Sequence, residues 1–182
     1  ERIRLVRERI TEVPLKSWLR SNSLLGFDVL PEDVNALWVE RLAAKGIGIL
    51  CAFDALGDLD NIVSNLQLAK RMGMKTCGAL VFCESPVHSD AFFAAKASEL
   101  VQRARVDWIM IKDSGGLLGI DRVRTLVPAL RAAVGDTPIE LHSHCLTGIT
   151  PAVYHEAVKL GVDIVDTSIA PLANGPAQPA TQ

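Results

Sequence analysis

Three adjoining pieces decide the fold: Val106-Asp107-Trp108-Ile109-Met110-Ile111-Lys112-Asp113, a helical run from about Ile120 to Val134 stopped by Gly135, and Ile139-Glu140-Leu141-His142-Ser143-His144. The apolar runs within them, Val106 to Ile111 and the short Ile139-Glu140-Leu141, have the length of buried strands rather than of helices. The amphipathic segment between them suits a helix, and glycine just past a helix is its expected stop. Strand, helix and strand joined by short links make a parallel β/α unit.

The same rhythm extends in both directions. Upstream lie the run Leu15-Lys16-Ser17-Trp18-Leu19-Arg20, a helix from Pro31 to about Lys45 closed by Gly46, and the run from Ile47 to Phe53. A helix from about Leu59 to Met72 closed by Gly73, the run from Lys75 to Phe82, and a helix from about Ser89 to Arg103 follow. Downstream, a helix from about Pro151 to Leu160 stops at Gly161 before Val162 to Val165. Parallel strands covered by helices build either an open doubly wound sheet or a (β/α)8 barrel. No glycine-rich phosphate fingerprint follows the first strand, which weakens the dinucleotide-binding sheet. Arg20, Asp54, Lys112, His142 and His144 all come just after apolar runs, where a barrel collects its active site. The expectation is an α/β chain of the (β/α)8 barrel class, with residues 1–182 in a single domain. Six units fall short of eight, and 182 residues fall short of the roughly 250 usual for a whole barrel. The charged opening Glu1-Arg2-Ile3-Arg4 reads as the tail of a helix, so the missing units are expected upstream and the chain is expected to be a fragment.

Bulk properties exclude some classes. The net charge is −2, from 19 basic and 21 acidic side chains, which gives no general basic field for nucleic acid or an anionic membrane. No apolar run reaches the ~18 residues of a membrane span. Cys51, Cys77, Cys83 and Cys145 lie scattered without metal or redox spacing, which reads as reduced thiols in a cytoplasmic protein.

Several residues could carry chemistry. Alternate residues of a strand point to one side, so His142 and His144 can grip one metal ion, or can simply be two polar residues at a strand end. Lys112 closes a buried strand, where an ammonium is costly. It either forms a salt bridge, with Asp113 or a neighbouring carboxylate, or stays neutral and takes up carbon dioxide as a carbamate able to ligate a metal. Arg20 suits a bidentate grip on a carboxylate, or a surface ion pair. Asp54 is equally a turn residue or an active-site residue. His88 and His155 read as ordinary, and Trp18, Trp38 and Trp108 as packing residues.

Together these pieces resemble the carboxyltransferase barrel of the pyruvate carboxylase, oxaloacetate decarboxylase α subunit and transcarboxylase family, within the HMG-CoA-lyase-like superfamily. Ile111-Lys112-Asp113-Ser114-Gly115-Gly116-Leu117-Leu118 is similar to that family's carbamylated-lysine segment. Leu141-His142-Ser143-His144-Cys145-Leu146-Thr147-Gly148 is similar to its two-histidine metal motif, and residues 160–167 to the strand after it. Ser85-Pro86-Val87-His88 resembles a stretch of the decarboxylase and transcarboxylase branch. Trp18-Leu19-Arg20 with Leu24-Leu25-Gly26-Phe27 resembles the segment of a substrate-binding arginine, and Phe53-Asp54-Ala55-Leu56 its phenylalanine-aspartate turn.

The resemblance implies a biotin-dependent enzyme that moves a carboxyl group between carboxybiotin and a 2-oxo acid through a metal-stabilised enolate. It implies Lys112, His142 and His144 as ligands of zinc, manganese or cobalt, Lys112 and Arg20 as catalytic residues, and Arg20 and Asp54 as substrate-binding residues. Biotin would arrive on a carrier domain elsewhere, since no Met-Lys-Met acceptor is present. A 2-oxo acid substrate and a homo-oligomer complete the expected partners. An aldol-type lyase or condensing enzyme and a degenerate, non-catalytic barrel are the alternatives, and Lys112 favours carboxyl transfer over the first. The chain departs from the family in four places. It has no Arg-Asp-Ala segment with the first-strand metal ligand, Cys51 stands near an expected arginine, Cys145 follows the second histidine in place of aspartate, and the catalytic threonine has no fixed counterpart: an ungapped alignment through Gln178-Pro179 puts Pro176 there, and Thr181 is a poor substitute.

Overall fold

The computed structural model describes residues 1–182. Helix α1 (Arg2–Arg9) precedes six strands: β1 (Leu15–Arg20), β2 (Ile47–Phe53), β3 (Lys75–Val81), β4 (Trp108–Asp113), β5 (Ile139–Ser143) and β6 (Ile164–Val165). The links carry α2 (Glu32–Ala44), α3 (Asp60–Arg71), α4 (Asp90–Ala104), α5 (Ile120–Val134) and α6 (Thr150–Lys159). The strands run in sequence order, β1-β2-β3-β4-β5-β6. A doubly wound sheet reverses its order at a switch point, and this order has no reversal. The fold is therefore an incomplete (β/α)8 barrel. No helix is long and apolar enough to cross a membrane.

The chain forms two compact units, Glu1–Ala79 with Arg103–Asp107 and Leu80–Gln102 with Trp108–Gln182. In the first, β1 pairs parallel with β2, and β2 with β3. Its core gathers Leu19, Leu50, Ile62 and Leu66, all fully buried. On α3 the buried positions Ile62, Val63, Leu66 and Ala69 recur at the three- and four-residue spacing of one helix face. In the second unit, β4 pairs parallel with β5, and β5 with β6. Its core gathers Ile109, Met110, Ile111 and Ile139 under Leu126 and Leu130 of α5. All five residues of β5 are buried, as expected of a strand covered on both faces.

Two boundaries differ from the sequence expectation. The β4–β5 ladder does not end with the apolar residues but continues through Lys112↔His142 and Asp113↔Ser143. Polar residues remain in the strands because their side chains find partners in the fold. Conversely, β6 shrinks to two residues, paired as Glu140↔Ile164 and Leu141↔Val165. Just before it, the Asp163 amide donates to the Ile139 carbonyl at 2.9 Å, and the Asp163 carboxylate accepts from the Ile139 amide at 2.8 Å and from Arg131 at 2.6 Å.

Candidate active site

Strand alternation sorts the ends of β4 and β5 into two sets. Asp113 and Ser143 face one side and build scaffold. The Asp113 carboxylate, fully buried, accepts hydrogen bonds from the Leu117 and Leu118 amides at 2.9 and 3.0 Å and from the Ser143 hydroxyl at 2.7 Å. The Tyr154 hydroxyl of α6 accepts from the Ser143 amide at 2.9 Å. Burial pushes the Tyr154 phenol far above its usual range, so it remains protonated. Ser143 lies between the two histidines, and these bonds fix the backbone that aims both rings.

The other set faces the opposite side. Lys112 lies in register with His142, is 9% exposed, and donates from Nζ to the Ser114 hydroxyl at 2.5 Å. His144 follows β5, and its amide donates to the Asp113 carbonyl at 2.9 Å. The two Nε2 atoms of His142 and His144 lie 3.2 Å apart. His142 Nδ1 meets the Asp166 carboxylate at 2.7 Å. A carboxylate only accepts, so Nδ1 carries a proton directed at Asp166. Burial holds the His144 ring below the usual histidine range, and the charges of His142 and Lys112 push the same way. A hydrogen bond to the Pro176 backbone, which can only accept, opposes them and takes a ring N–H of His144.

This donor set fits a divalent cation. Two imidazoles bring their Nε2 atoms 3.2 Å apart, and one ring is oriented by the Asp166 carboxylate. With bonds of about 2.1 Å to nitrogen, a 3.2 Å separation corresponds to an angle of about 100° at the ion, within tetrahedral or octahedral coordination. The histidine, cysteine, aspartate and glutamate side chains do not by themselves assemble three donors. A further donor must come from another residue type, or from Lys112 once converted to an oxygen ligand.

The glycines after Lys112 have a steric reason. Gly116 adopts φ +61°, and a Cβ there would meet the His144 carbonyl oxygen at 2.6 Å. The loop after β4 thus passes against the backbone of the second histidine, and only glycine allows that approach.

In the other compact unit, Arg20 ends β1 and its guanidinium stacks 4.4 Å from the centre of the Phe27 ring. The Arg20 amide donates to the Leu24 carbonyl at 2.7 Å. Asp54 is buried just past β2 and binds its own turn, accepting from the Leu56 and Asp58 amides at 2.8 and 3.1 Å. Its second oxygen accepts from Asn61 at 3.1 Å. Burial pushes the Asp54 carboxyl up, yet bonds from Asp58, Leu56, Asn61 and Ser21 outweigh it and hold the group below the usual carboxylate range. Asn61 in turn accepts from Asn22 at 3.2 Å. Asp54 is thus linked to the side chains of Ser21 and, through Asn61, Asn22, which follow Arg20, as well as to its own turn.

Three side chains that contact Lys112 or His142 were not singled out from the sequence. Asp166 orients His142; its only local signal is its place just past a strand. Ser114 holds Lys112. Gln178 places its side-chain nitrogen 3.2 Å from His142 Nε2 and has no local signal. His88 Nδ1 shares a hydrogen bond with the Ser85 hydroxyl at 2.7 Å, and its ring packs edge-on against Phe92.

Comparison with known proteins places this geometry. Residues 54–175 match the family described as HMGL-like. The chain is 36% identical over its whole length to a pyruvate carboxylase subunit of Methanocaldococcus jannaschii, covering 32% of that protein. It is 30% identical to the methylmalonyl-CoA carboxyltransferase 5S subunit of Propionibacterium freudenreichii subsp. shermanii, covering 36% of it. The structure of the carboxyl transferase domain of Rhizobium etli pyruvate carboxylase with pyruvate superposes with a TM-score of 0.94 at 28% identity, over 99% of this chain and 31% of that one. The chain thus spans about a third of the length of these relatives.

Proposed function

The chain belongs to the HMGL-like family, and from that premise we propose that it forms part of a biotin-dependent carboxyltransferase acting on a 2-oxo acid such as pyruvate or oxaloacetate. The observation that carries the reading is the buried Lys112 in register with His142, beside two imidazoles whose Nε2 atoms lie 3.2 Å apart. A buried lysine at such a position has a chemical use as a carbamate, which replaces a cation by an anionic oxygen donor. Relatives that carry out carboxylation and carboxyl transfer support it.

In this reading His142, His144 and carbamylated Lys112 hold zinc, manganese or cobalt. The bound ion would polarise the oxo group and stabilise negative charge as a proton leaves the adjacent carbon. Asp166 keeps the His142 proton on Nδ1, so that Nε2 remains a donor to the ion. Ser114 orients the Lys112 side chain. Arg20 grips the substrate carboxylate through its two-pronged guanidinium, and Phe27 supports the flat face of that group. Asp54 acts on substrate binding through the turn after Arg20. Pro176 offers no hydroxyl where the family's threonine stands, so the proton passing between substrate and biotin needs another carrier. Biotin comes from a carrier domain, and the whole protein works in the cytoplasm as a homo-oligomer.

The test is carboxyl exchange. The full-length protein, with a carboxylated biotin carrier, should release the carboxyl group in a 2-oxo-acid-dependent way, and Lys112→Ala should abolish this. Exchange that survives Lys112→Ala, or coenzyme-A thioester cleavage without biotin, would put the protein with the lyases instead.

A further inference from the structure

We propose that Arg122 is a positioning residue: from α5 it locks the segment that follows β3, and through that segment it sets the backbone of Lys112. This rests on the carboxyl-transfer reading above, in which Lys112 takes part in the chemistry. It gives a role to a residue, and to the Ser85-Pro86-Val87-His88 motif, that the reading leaves unused.

Arg122 stands where its own helix gives it no reason to be. It is the third residue of α5, and the start of a helix favours acidic side chains over basic ones. Its side chain is nevertheless only 20% exposed and is directed outside α5. It pairs with Asp90 in the first turn of α4 and with Glu84 at 3.4 Å, and it donates to the His88 carbonyl at 3.0 Å. Its guanidinium also lies 5.8 Å from the centre of the Phe82 ring. One side chain thus holds four points of residues 82–90. Within α5 it also donates to the Thr125 hydroxyl at 3.2 Å.

The segment is braced internally, so the hold is carried inward. His88 and Phe93 bracket the start of α4 as a hydrophobic staple, with ring centres 5.9 Å apart, and the Ser89 hydroxyl accepts the Phe92 amide at 3.2 Å. The bond between Ser85 and His88 Nδ1 closes the motif on itself. Phe93 stacks on Phe82 with centres 5.7 Å apart, and both side chains are buried. The Phe82 amide then donates to the Lys112 carbonyl at 2.8 Å. On its other side Lys112 pairs with His142. The lysine backbone is therefore gripped from both neighbouring strands, and Arg122 secures the β3 side. Without the guanidinium, Asp90 and Glu84 lose their common cation and the His88 carbonyl loses its donor. Misplacing a reacting group by about 1 Å costs up to roughly 100-fold in rate.

The experiment measures carboxyl exchange by the full-length protein, with a carboxylated biotin carrier and pyruvate, beside amide hydrogen exchange. Arg122→Ala lowers kcat by roughly 10- to 100-fold and leaves KM for pyruvate unchanged, because it misplaces Lys112 and not the Arg20 grip. Arg122→Lys, a point charge without the fork, falls between that variant and wild type. In Arg122→Ala the Phe82 amide exchanges at least roughly tenfold faster, while the Ile139 amide, at the opposite end of the strands, exchanges as in wild type. The proposal is overturned if Arg122→Ala keeps wild-type kcat, if KM carries the whole loss, or if Phe82 stays equally protected. Equal acceleration of both amides, the sign of general destabilisation, overturns it too. Should Arg122→Ala not fold, wild-type kcat in Arg122→Lys overturns it. A wild-type protein without carboxyl exchange overturns this proposal and the functional reading together, whereas exchange that Arg122→Ala leaves intact removes Arg122 alone.

Discussion

The two ends of the strands treat polar groups in opposite ways. At their N-terminal ends, an aspartate just before one strand clamps the start of the previous one, and this occurs in both compact units. Asp107 accepts from the Thr76 amide and hydroxyl at 2.9 and 3.0 Å, with Lys75 and Lys70 alongside. Asp163 accepts from the Ile139 amide at 2.8 Å and from Arg131 at 2.6 Å, while Arg131 also holds the Gly135, Thr137 and Gly161 carbonyls. Here protein satisfies protein. At the C-terminal ends of β4 and β5, His142 and His144 instead turn donor atoms toward a shared point beside Lys112. Barrel enzymes as a class keep stabilising contacts at one end of the strands and ligand-binding groups at the other, and in the proposed reading His142, His144 and Lys112 belong to the second kind while Asp113 and Ser143 remain scaffold.

If that division holds, substitutions at the two ends should move different observables. The largest effect is expected for His142→Ala. It should lower divalent-metal affinity by more than about 100-fold, beyond the loss for an outer partner, and leave the metal-free melting temperature nearly unchanged. A metal titration beside a thermal melt measures both, and a large drop in melting temperature would make His142 a structural residue.

Asp166→Ala comes next. It removes the acceptor that keeps a proton on His142 Nδ1, and a loss of roughly 10- to 100-fold in metal affinity is expected. Equal affinity in the two proteins would mean the tautomer is set elsewhere.

At the opposite end, Asp163→Ala should cost about 1–3 kcal/mol in a denaturant melt, because the Ile139 amide loses its partner, with metal affinity unchanged. The pH dependence sharpens this. Burial pushes the Asp163 carboxyl up, but the Ile139 amide and Arg131 outweigh it and hold the group below the usual range. A carboxyl depressed in the folded state stabilises fully above its unfolded value, ~3.9, and the contribution is lost as pH falls through the folded value. Wild type should therefore lose stability more steeply than Asp163→Asn below about pH 4. Parallel acid profiles would remove the clamp from the account.

The same contrast explains what could be read from sequence. The fold was legible because period, glycine stops and short links are local signals, and the strands of residues 15–20 and 47–53 appear where the apolar runs place them. The pairing of Lys112 with His142 was legible because consecutive parallel strands are neighbours, so their ends meet. Strand ends were less so. Asp113 and Ser143 continue the ladder with a hydrogen bond between their side chains and further bonds to Leu117, Leu118 and Tyr154, facts about several segments at once. Asp166 and Gln178 were invisible for the same reason, since they reach His142 from 24 and 36 residues away. Asp54 illustrates the converse. Its local turn was readable, but its grip on Asn61, and through it on Asn22, depends on tertiary packing.

The central claim is that Lys112 becomes an oxygen ligand, and carbon-13 NMR tests it directly. The full-length protein, incubated with carbon-13 bicarbonate and manganese replaced by diamagnetic zinc, should show one protected carbamate resonance that is absent from Lys112→Ala. Metal affinity should fall in carbon-dioxide-free buffer and return when bicarbonate is restored. A wild-type protein that binds zinc equally well without carbon dioxide, and shows no carbamate signal, would contradict the account.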